Sequence, residues 1–199
     1  MLYQIFKNFF FILFKVFHRM KVIGAEHVPM TGPVILAANH VSNWDPLVVG
    51  SAAPRQLVFL AKKSLFKIPL VGLLMRGWGA TPVERGHSQR STINFWLNVL
   101  KQGKAIGIFP EGKRNLEHTG QMLKLQSGLA MLALNTGAAV VPVAVLNSDR
   151  IFRGFKQLKV IIGTPITFQD QPELDRKELY DRINTRITAE IMELKKKYT

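Results

Sequence analysis

The chain contains no cysteine among its 199 residues, which excludes disulfide bonds, thiolate nucleophiles and cysteine-ligated zinc sites. Acidic residues are also scarce: 13 Asp and Glu stand against 27 Lys and Arg, for a formal net charge of +14. Such an excess attracts anionic partners, among them nucleic acid, acidic lipid headgroups and phosphorylated substrates. The sequence has no P-loop, no G-x-G-x-x-G motif, no metal-ligand spacing of histidines and no recognisable nucleic-acid-binding module. We therefore expect no nucleic-acid partner, although the charge alone leaves that class open.

The first twenty residues lack an apolar run long enough to cross a membrane. Their longest uncharged stretch, residues 8–14, is far shorter than the roughly 20 apolar residues that a spanning helix needs. A secretory signal would end in a small-residue cleavage site, and none follows. The spacing instead predicts an amphipathic helix. Its polar arc of roughly 120° would contain Gln4, Lys7, Asn8, Lys15, His18 and Arg19.

The opposite face of this predicted helix is wide and rich in phenylalanine. It comprises Leu2, Ile5, Phe6, Phe9, Phe10, Ile12, Leu13, Val16 and Phe17. Aromatic residues on one face and cations on the other favour a helix that lies in the plane of a membrane surface. The alternative is a helix that packs on the protein's own core. We expect residues 1–20 to be a membrane-associating helix, followed by one folded domain in residues 21–199.

No repeat, low-complexity segment or flexible linker divides that domain. Helical spacing predicts helices that contain residues 93–100, 125–133 and 179–194, the first two ended by Gly103 and Gly137. Strands that are apolar throughout and alternate with helices predict an α/β fold, with a mostly parallel, partly mixed sheet flanked by helices. The apolar runs that predict strands are residues 34–38, 57–61, 105–109, 138–145 and 158–162.

The residues after the first of these strands include a candidate catalytic pair. In α/β folds, active sites gather in loops at the carboxyl ends of strands. His40 lies there, and Asp45 follows five residues later. An aspartate can fix the tautomer of a histidine whose other ring nitrogen takes a proton from a substrate hydroxyl. About 0.13 such pairs would arise by chance in this composition, and Asp45 before Pro46 also suits the N-cap and first position of a helix.

Two further clusters contain an arginine beside a glycine. Glu111-Gly112-Lys113-Arg114 follows residues 105–109, and Glu84-Arg85-Gly86 follows the apolar residues 80–83. Glycine permits a tight turn, and an arginine guanidinium can bind phosphate through two hydrogen bonds. Taken alone, each cluster is more typical of a solvated turn or a surface ion pair.

Two other features suggest substrate contacts. Pro142 interrupts the run 138–145, and because proline disfavours a central strand position, it predicts an edge, a bulge or a strand end near a site. The segment 62–68 combines three lysines with three apolar residues, a pattern that suits a loop facing a membrane or an acyl donor: Lys62, Lys63, Leu65, Phe66, Lys67 and Ile68. An ordinary surface loop is the alternative.

Four blocks in this order resemble the glycerolipid acyltransferase family, and within it the bacterial-type lysophosphatidic acid acyltransferases. Asn39-His40-Val41-Ser42-Asn43-Trp44-Asp45 is similar to the family's NHxSxxD block, and Glu84-Arg85-Gly86 to its second block. Phe109-Pro110-Glu111-Gly112-Lys113-Arg114-Asn115 is similar to the FPEGTRS block, and Val140-Val141-Pro142-Val143-Ala144 to the fourth block. The resemblance runs from about Val22 to Gly163.

The resemblance implies an acyltransferase domain in residues 21–199. His40 would be the general base on the acceptor hydroxyl, and Asp45 would position it. The donor would be an acyl-CoA or acyl-carrier-protein thioester, used as a co-substrate, with no bound cofactor and no metal. The acceptor's glycerol-phosphate pocket would contain Arg85, Glu111, Gly112 and Arg114, with further substrate or donor contacts from Asn39, Ser42, Lys113 and Pro142.

The implied reaction moves a fatty acyl group to the sn-2 hydroxyl of lysophosphatidic acid and forms phosphatidic acid in phospholipid biosynthesis. Lys113 and Asn115 replace the Thr and Ser usual in the family, so glycerol-3-phosphate or another lysophospholipid is an alternative acceptor. An alternative of another class is a non-enzymatic protein that binds anionic membranes or nucleic acid. We expect a peripheral or monotopic protein on the cytoplasmic face of the cell membrane, in contact with membrane phospholipids.

Overall fold

A computed structural model describes residues 2–83, 89–117, 120–154 and 156–199. Within these residues the chain forms seven strands and six α-helices. The strands are β1 (Lys21–Ile23), β2 (Val34–Ala38), β3 (Leu57–Lys62), β4 (Ala80–Val83), β5 (Ala105–Ile108), β6 (Ala139–Leu146) and β7 (Lys159–Ile162). The helices are α1 (Leu2–Phe17), α2 (Asp45–Ala52), α3 (Pro69–Gly77), α4 (Gln89–Lys101), α5 (Gly128–Thr136) and α6 (Arg176–Tyr198).

The strands form one sheet with the order β1-β7-β6-β2-β5-β3-β4. β6 and β7 run antiparallel, whereas the other neighbouring pairs are parallel. This confirms the predicted α/β fold with a mostly parallel, partly mixed sheet. The chain moves outward from β2 through β3 to β4, returns to β5, and then crosses to β6 on the other side of β2. In such folds, the carboxyl ends of strands at this kind of crossing point are the expected place for a ligand site.

Helices cover both faces of the sheet, as the alternation of side chains in β2 indicates. Val34, Leu36 and Ala38 pack into a buried cluster with residues of α1 and α2. Ile35 and Ala37 point the other way, into a cluster with residues of α4, α5 and α6. Because successive side chains of a strand lie on opposite faces, a strand that is apolar throughout has to be covered on both.

Most elements match the sequence predictions. β2 has the predicted bounds, while β3, β5, β6 and β7 differ by one residue at one or both ends. The predicted helices are α4, α5 and α6, and Gly103 and Gly137 follow the first two with positive φ angles, which glycine adopts at little cost. β1 and α3 were not predicted. β1 has only three residues, and α3 is short and exposes several of its apolar side chains, so neither has a clear period.

Pro142 does not mark an edge of the sheet; of the predicted alternatives, the structure shows a strand end, which is that of the neighbouring strand β7. Pro142 lies inside β6, which has β2 and β7 as neighbours, and it is buried. Its carbonyl oxygen accepts a hydrogen bond from the Gly163 N–H at 2.8 Å. An N–H on Pro142 would have faced the same partner, one residue beyond the end of β7, so the ladder loses a hydrogen bond only at its terminus.

The helix α1 packs on the protein with one side and exposes an apolar surface on another. Phe10 and Phe14 are buried in the core. The Phe6 ring lies against Gly77 of α3, where a β-carbon would be 2.3 Å from the ring. The alternative of core packing is therefore confirmed for one side of this helix, whereas attachment to a membrane surface stays a prediction. Its large apolar side chains that are at least half exposed are Leu2, Ile5, Phe9, Ile12, Val16 and Phe17.

A second exposed apolar region adjoins α1. A 3-10 helix at Lys63–Lys67 leads into α3, and Leu70, Leu73 and Gly77 share one side of α3 by their spacing. Because Leu2 also lies close to Gly77, this side of α3 continues the exposed face of α1. We call the combination the α1–α3 apolar surface; its members are Leu2, Ile5, Phe9, Ile12, Val16, Leu70 and Leu73.

The prediction that His18 belongs to the polar arc of α1 is wrong. α1 ends at Phe17, and the His18 ring is buried, with the Phe152 ring at 4.8 Å between centroids. The chain changes direction here because Arg19 adopts a positive φ of 50°. Within the described residues, no helix is both long enough and apolar enough to cross a membrane.

Candidate active site

Three loops meet at the carboxyl ends of the central strands. Residues 39–44 follow β2, residues 109–117 follow β5, and residues 147–153 follow β6. β2 lies between the other two strands and is parallel to both, so the three carboxyl ends are side by side. Two functional clusters that the sequence separates by about seventy residues are thereby neighbours in space.

His40 and Asp45 form the predicted pair. The His40 Nδ1 atom lies 2.8 Å from Asp45 Oδ2. The same oxygen accepts hydrogen bonds from the N–H groups of Val41 and Ser42, each at 2.8 Å, and Oδ1 accepts one from the Ser148 hydroxyl. These donors compensate the burial of an aspartate whose side chain is fully inaccessible. Because Asp45 is an acceptor, it keeps the His40 proton on Nδ1 and leaves Nε2 available to a substrate.

Asp45 does not cap α2, which was the other interpretation of its position before Pro46. Trp44 occupies the N-cap position, and Asp45 is the first residue of the helix. Its carboxylate turns back toward the backbone of residues 41–42 instead of bonding to the helix N–H groups. The start of α2 therefore serves to hold the aspartate beneath the histidine.

Phe109 fixes the plane of the His40 ring. The two rings are stacked, with 4.2 Å between centroids and 23° between planes. Phe59 of β3 stacks in turn behind Phe109 at 6.4 Å. The His40 side chain keeps 18% of its surface exposed, so the ring is oriented by its neighbours and still reachable.

Glu111 is buried, and within the described residues its carboxylate bonds to backbone N–H groups rather than to a cation. Its Oε1 accepts a hydrogen bond from the His40 N–H at 2.8 Å, and its Oε2 accepts one from the Leu123 N–H at 2.9 Å. Burial lowers the pKa of Lys195 in α6, and the nearby Glu111 charge partly opposes that change. Glu111 thus connects the loop after β5 to His40, while a direct contact between Glu111 and a substrate stays a prediction.

The side chains of Asn39 and Ser42 also form hydrogen bonds with backbone groups. The Asn39 side chain donates to the Val145 carbonyl at 3.0 Å and accepts from the Val145 N–H at 2.7 Å, which joins the end of β2 to β6. The Ser42 hydroxyl accepts from the Trp44 N–H at 3.2 Å. On the other side, the Asn115 N–H donates to the His40 carbonyl at 2.7 Å. Residues 39–45 are therefore held from both neighbouring loops.

Gly112 has a positive φ angle and lies against the Gln126 side chain. Its φ angle is 74°, and a β-carbon would lie 2.0 Å from Gln126 Nε2. The Gln126 N–H also donates to the Pro110 carbonyl at 2.9 Å, so the turn packs tightly against the approach to α5. Lys113 and Arg114, by contrast, project into solvent. The positive φ angle is the reason for a glycine at this position, whereas the Gln126 side chain could move to admit a β-carbon.

Two cavities flank the catalytic pair. The first, which we call the apolar cavity, has a volume of about 380 Å³ and lies between the sheet and helices α4 and α5. Its lining includes His40, Phe59, Ile93, Trp96, Phe109, Leu129 and Leu132. The second, which we call the basic pocket, has a volume of about 300 Å³ and lies beside the loop of residues 41–44. Its lining includes Ser42, Trp44, Arg114, Asp149, Arg150 and Arg153.

The structure brings most of the predicted site residues together. His40, Asp45, Asn39, Ser42 and Glu111 form one hydrogen-bonded cluster. Gly112 lines the apolar cavity and Arg114 lines the basic pocket. Pro142 is buried in β6 and lies near Gly163, which also lies near Leu194 of α6. The Pro142 carbonyl oxygen bonds to Gly163 and not to a residue of this cluster. Arg85 and its neighbours Glu84 and Gly86 lie outside the described residues.

Sequence reasoning assigned no role to four residues that contribute to the site. Ser148 bonds to Asp45 across a separation of 103 residues, and Phe109 orients His40 by stacking. Arg150 and Arg153 line the basic pocket from the loop after β6. The rule that sites gather at the carboxyl ends of strands could have indicated that loop, because it follows directly on the apolar run 138–145.

Known proteins resemble this chain over most of its length. A family model described as "Acyltransferase" matches residues 19–146. A 1-acyl-sn-glycerol-3-phosphate acyltransferase from Borreliella burgdorferi is 31% identical over 171 residues, which are 84% of this chain and 66% of that protein. A protein of the same name from Bacillus subtilis is 31% identical over 182 residues and is matched over 89% of both chains. The chain therefore spans slightly less than two thirds of the first relative and most of the second.

A solved structure has the same fold. The crystal structure of the 1-acyl-sn-glycerophosphate (LPA) acyltransferase PlsC from Thermotoga maritima superimposes with a TM-score of 0.67. The match covers 97% of this chain and 83% of that one, at 23% sequence identity. The amino-terminal helix and the sheet described above are thus part of a known architecture.

Proposed function

Because this chain belongs to the acyltransferase family, we propose that it transfers a fatty acyl group to the sn-2 hydroxyl of lysophosphatidic acid. The product is phosphatidic acid, and the acyl donor is a thioester of coenzyme A or of acyl-carrier protein. The observation that carries the proposal is the His40–Asp45 pair, with an apolar cavity beside its ring and a basic pocket beside its loop. The names of the relatives from Borreliella and Bacillus support the acceptor.

His40 acts as the general base of this reaction. Its Nε2 accepts the proton of the acceptor hydroxyl as the hydroxyl oxygen bonds to the thioester carbonyl carbon. The carbon–sulfur bond then breaks, and the imidazolium returns the proton to the leaving thiolate. Asp45 stabilises the imidazolium between these two steps. No protein nucleophile is needed, because the acceptor itself supplies the attacking oxygen.

The apolar cavity receives the acyl chain of the donor. His40 lines this cavity, so a chain inside it would have its thioester carbon close to the ring. The residues deeper in the cavity belong to α4, α5 and β3 and are almost wholly apolar. A cavity of about 380 Å³ is within the usual range for small-molecule sites, which begins near 300 Å³.

The α1–α3 apolar surface attaches the enzyme to the cytoplasmic face of the cell membrane, in contact with membrane phospholipids. Ile5, Phe9 and Ile12 are exposed on consecutive turns of α1, a costly arrangement for a helix in water alone. Cations at Lys7 and Lys15 and the net charge of +14 suit a surface of anionic lipids. An enzyme held there meets lysophosphatidic acid in the bilayer where that lipid resides.

The test is acyl transfer from a radiolabelled thioester by the wild type and by His40→Ala. Acceptors are lysophosphatidic acid, glycerol-3-phosphate and a lysophospholipid without a terminal phosphate. We expect His40→Ala to lose about 10²- to 10⁴-fold in kcat, the range that a positioned acid–base group supplies. Equal turnover by the two proteins would refute the assigned base. Higher activity on glycerol-3-phosphate than on lysophosphatidic acid would replace the proposed acceptor.

A further inference from the structure

The side chains that line the basic pocket beside residues 41–44 suit one class of ligand. It is lined by three arginines, Arg114, Arg150 and Arg153, and by one carboxylate, Asp149. All three arginine side chains are exposed, and the Arg150 side chain keeps 56% of its surface accessible. Arg150 Nε pairs with Asp149 at 3.4 Å. The formal charge of these four groups is therefore +2.

A phosphate monoester matches that charge. A monoester carries about −1.5 to −2 near neutral pH, because its second pKa is close to 6. A phosphodiester, as in the headgroup linkage of most membrane phospholipids, has one ionisable proton and carries a charge of about −1 under the same conditions. Guanidinium groups also bind phosphate oxygens through paired hydrogen bonds, which a lysine cannot do.

The pocket is attached to the catalytic pair at two points. Ser148, whose hydroxyl bonds to Asp45, lies two residues before Arg150. Arg114 directly precedes Asn115, whose N–H donates to the His40 carbonyl. The residues that line the pocket from the third side, 41–44, connect His40 to Asp45. The backbone that carries the pocket arginines is therefore held in place relative to the histidine.

The loop after β6 holds its two arginines in a defined turn. The Arg153 N–H donates to the Arg150 carbonyl at 2.9 Å, and the Arg150 N–H donates to the Asn147 carbonyl at 3.0 Å. Phe152, between the arginines, packs edge-on against Trp44 at 5.6 Å and against His18 at 4.8 Å. These contacts hold the loop after β6 against residues 41–44 and against the residue that follows α1.

We propose that Arg150 and Arg153, together with Arg114, bind the phosphate monoester of the acceptor and select it over acceptors with a phosphodiester or no phosphate. The proposal rests on the proposed acyl transfer and adds to Arg114, a residue of the third sequence block, two specificity residues that lie outside the four blocks. It assigns to the loop after β6 the part of the acceptor farthest from the acyl chain. The hydroxyl to be acylated then lies between the pocket and the His40 ring.

The first experiment compares acceptors in the enzymatic reaction. Arg150→Gln, Arg153→Gln and the double variant are assayed with 1-oleoyl lysophosphatidic acid, its phosphate methyl ester and 1-oleoylglycerol. We expect the kcat/KM ratio of monoester to methyl ester to fall about 10-fold for each substitution, as for loss of a hydrogen bond to a charged group. Arg182→Gln on α6, which breaks a surface ion pair with Glu178, is the matched control and should leave the ratio unchanged.

Replacement by lysine separates charge from geometry. Arg150→Lys and Arg153→Lys should recover only part of the lost preference, because an ammonium offers charge without the paired donors. An unchanged preference in the double glutamine variant would overturn the proposal. So would a double variant that binds anionic vesicles less tightly with its preference intact, since the pocket would then serve membrane phosphodiesters.

A binding measurement keeps this test independent of turnover. Calorimetry of the His40→Ala protein with glycerol-3-phosphate, and with inorganic phosphate for comparison, reports the pocket without any chemistry. When Arg150→Gln and Arg153→Gln are added to the His40→Ala protein, we expect glycerol-3-phosphate binding to weaken about 100-fold. If the wild type acylates no acceptor while this binding and its loss are seen, the proposed reaction fails and the pocket stands. Equal binding with and without the arginines would refute the pocket itself.

Discussion

Asp45 is completely enclosed within the site, as is its partner Ser148. Its two oxygens accept from the ring of His40, two backbone N–H groups and the Ser148 hydroxyl, and its side chain has no solvent contact. An aspartate in this setting has a single rotamer and fixed partners. Its effect on catalysis therefore comes from charge and proton placement rather than from mobility.

We expect Asp45→Asn to lower kcat about 10²- to 10⁴-fold while the protein stays folded. The amide keeps the shape and can still accept from the backbone, but it no longer stabilises a positive imidazole. Single-turnover acyl transfer, with circular dichroism melting as a check on folding, measures this. Ser148→Ala is the graded comparison: it removes one donor and keeps the carboxylate, so its kcat should fall less. A larger loss in Ser148→Ala than in Asp45→Asn would contradict the assignment.

His18 makes a separate contribution that depends on pH. Burial lowers the pKa of His18, and within the described residues its Nε2 has no hydrogen-bond partner. The unfolded chain therefore binds a proton at higher pH than the folded one. Stability is unaffected well above the unfolded pKa of about 6.5 and decreases as the pH falls below it.

The corresponding prediction is that His18→Phe flattens this dependence. The free energy of unfolding, measured by urea titration at pH 7.5 and pH 5.5, should fall more for the wild type than for His18→Phe. His27→Gln is the matched histidine control, since His27 is partly exposed and bonded to the Ile162 carbonyl. Parallel losses in the wild type and in His18→Phe would show that His18 does not titrate in this range.

At the scale of elements, α1 has two different apolar sides. Phe10 and Phe14 anchor the helix to the core, while Phe9 and Ile12 extend away from it. The wide face allows the same sixteen residues to pack on the core with one side and to present a second apolar side to the surroundings. We expect the second side to attach the protein to a membrane.

We expect Phe9→Ser/Ile12→Ser to weaken binding to phosphatidylcholine–phosphatidylglycerol vesicles by about 10-fold or more per side chain, from lost apolar burial. The measurement is co-sedimentation at high salt, where attraction between surface charges is screened. The thermal midpoint should change little, because both side chains are exposed. Met30→Ser, which removes an exposed apolar residue from another part of the surface, is the control. Vesicle binding equal to that of the wild type would remove α1 from the attachment surface.

At the scale of the whole molecule, local sequence patterns predicted the strands of the sheet more accurately than the residues of the site. The run 34–38 predicts β2 with the observed bounds because a strand covered on both faces is apolar at every position. The pairing of His40 with Asp45 also follows from nearby residues and the family resemblance. Each of these signals lies within a few residues of the feature it predicts.

The remaining features depend on contacts between distant segments. Nothing near Ser148 in the sequence points to Asp45, and the stacking of Phe109 on His40 requires that β5 lie beside β2. His18 was assigned to the polar face of a helix that ends one residue earlier, so periodicity could not indicate its burial. Pro142 sits inside a strand because the neighbouring strand stops, which is a property of the fold and not of the run itself.

The long sequence separations between residues of the site also determine when the site forms during protein synthesis. The Asn39 amide reaches Val145, 106 residues later, and the Ser148 hydroxyl reaches Asp45 across 103 residues. A nascent chain that has emerged only as far as α5 carries both catalytic side chains and lacks the partners that immobilise them. Contacts this distant in sequence are closed late in folding. We therefore expect the nascent protein to gain activity only after β6 has joined the sheet.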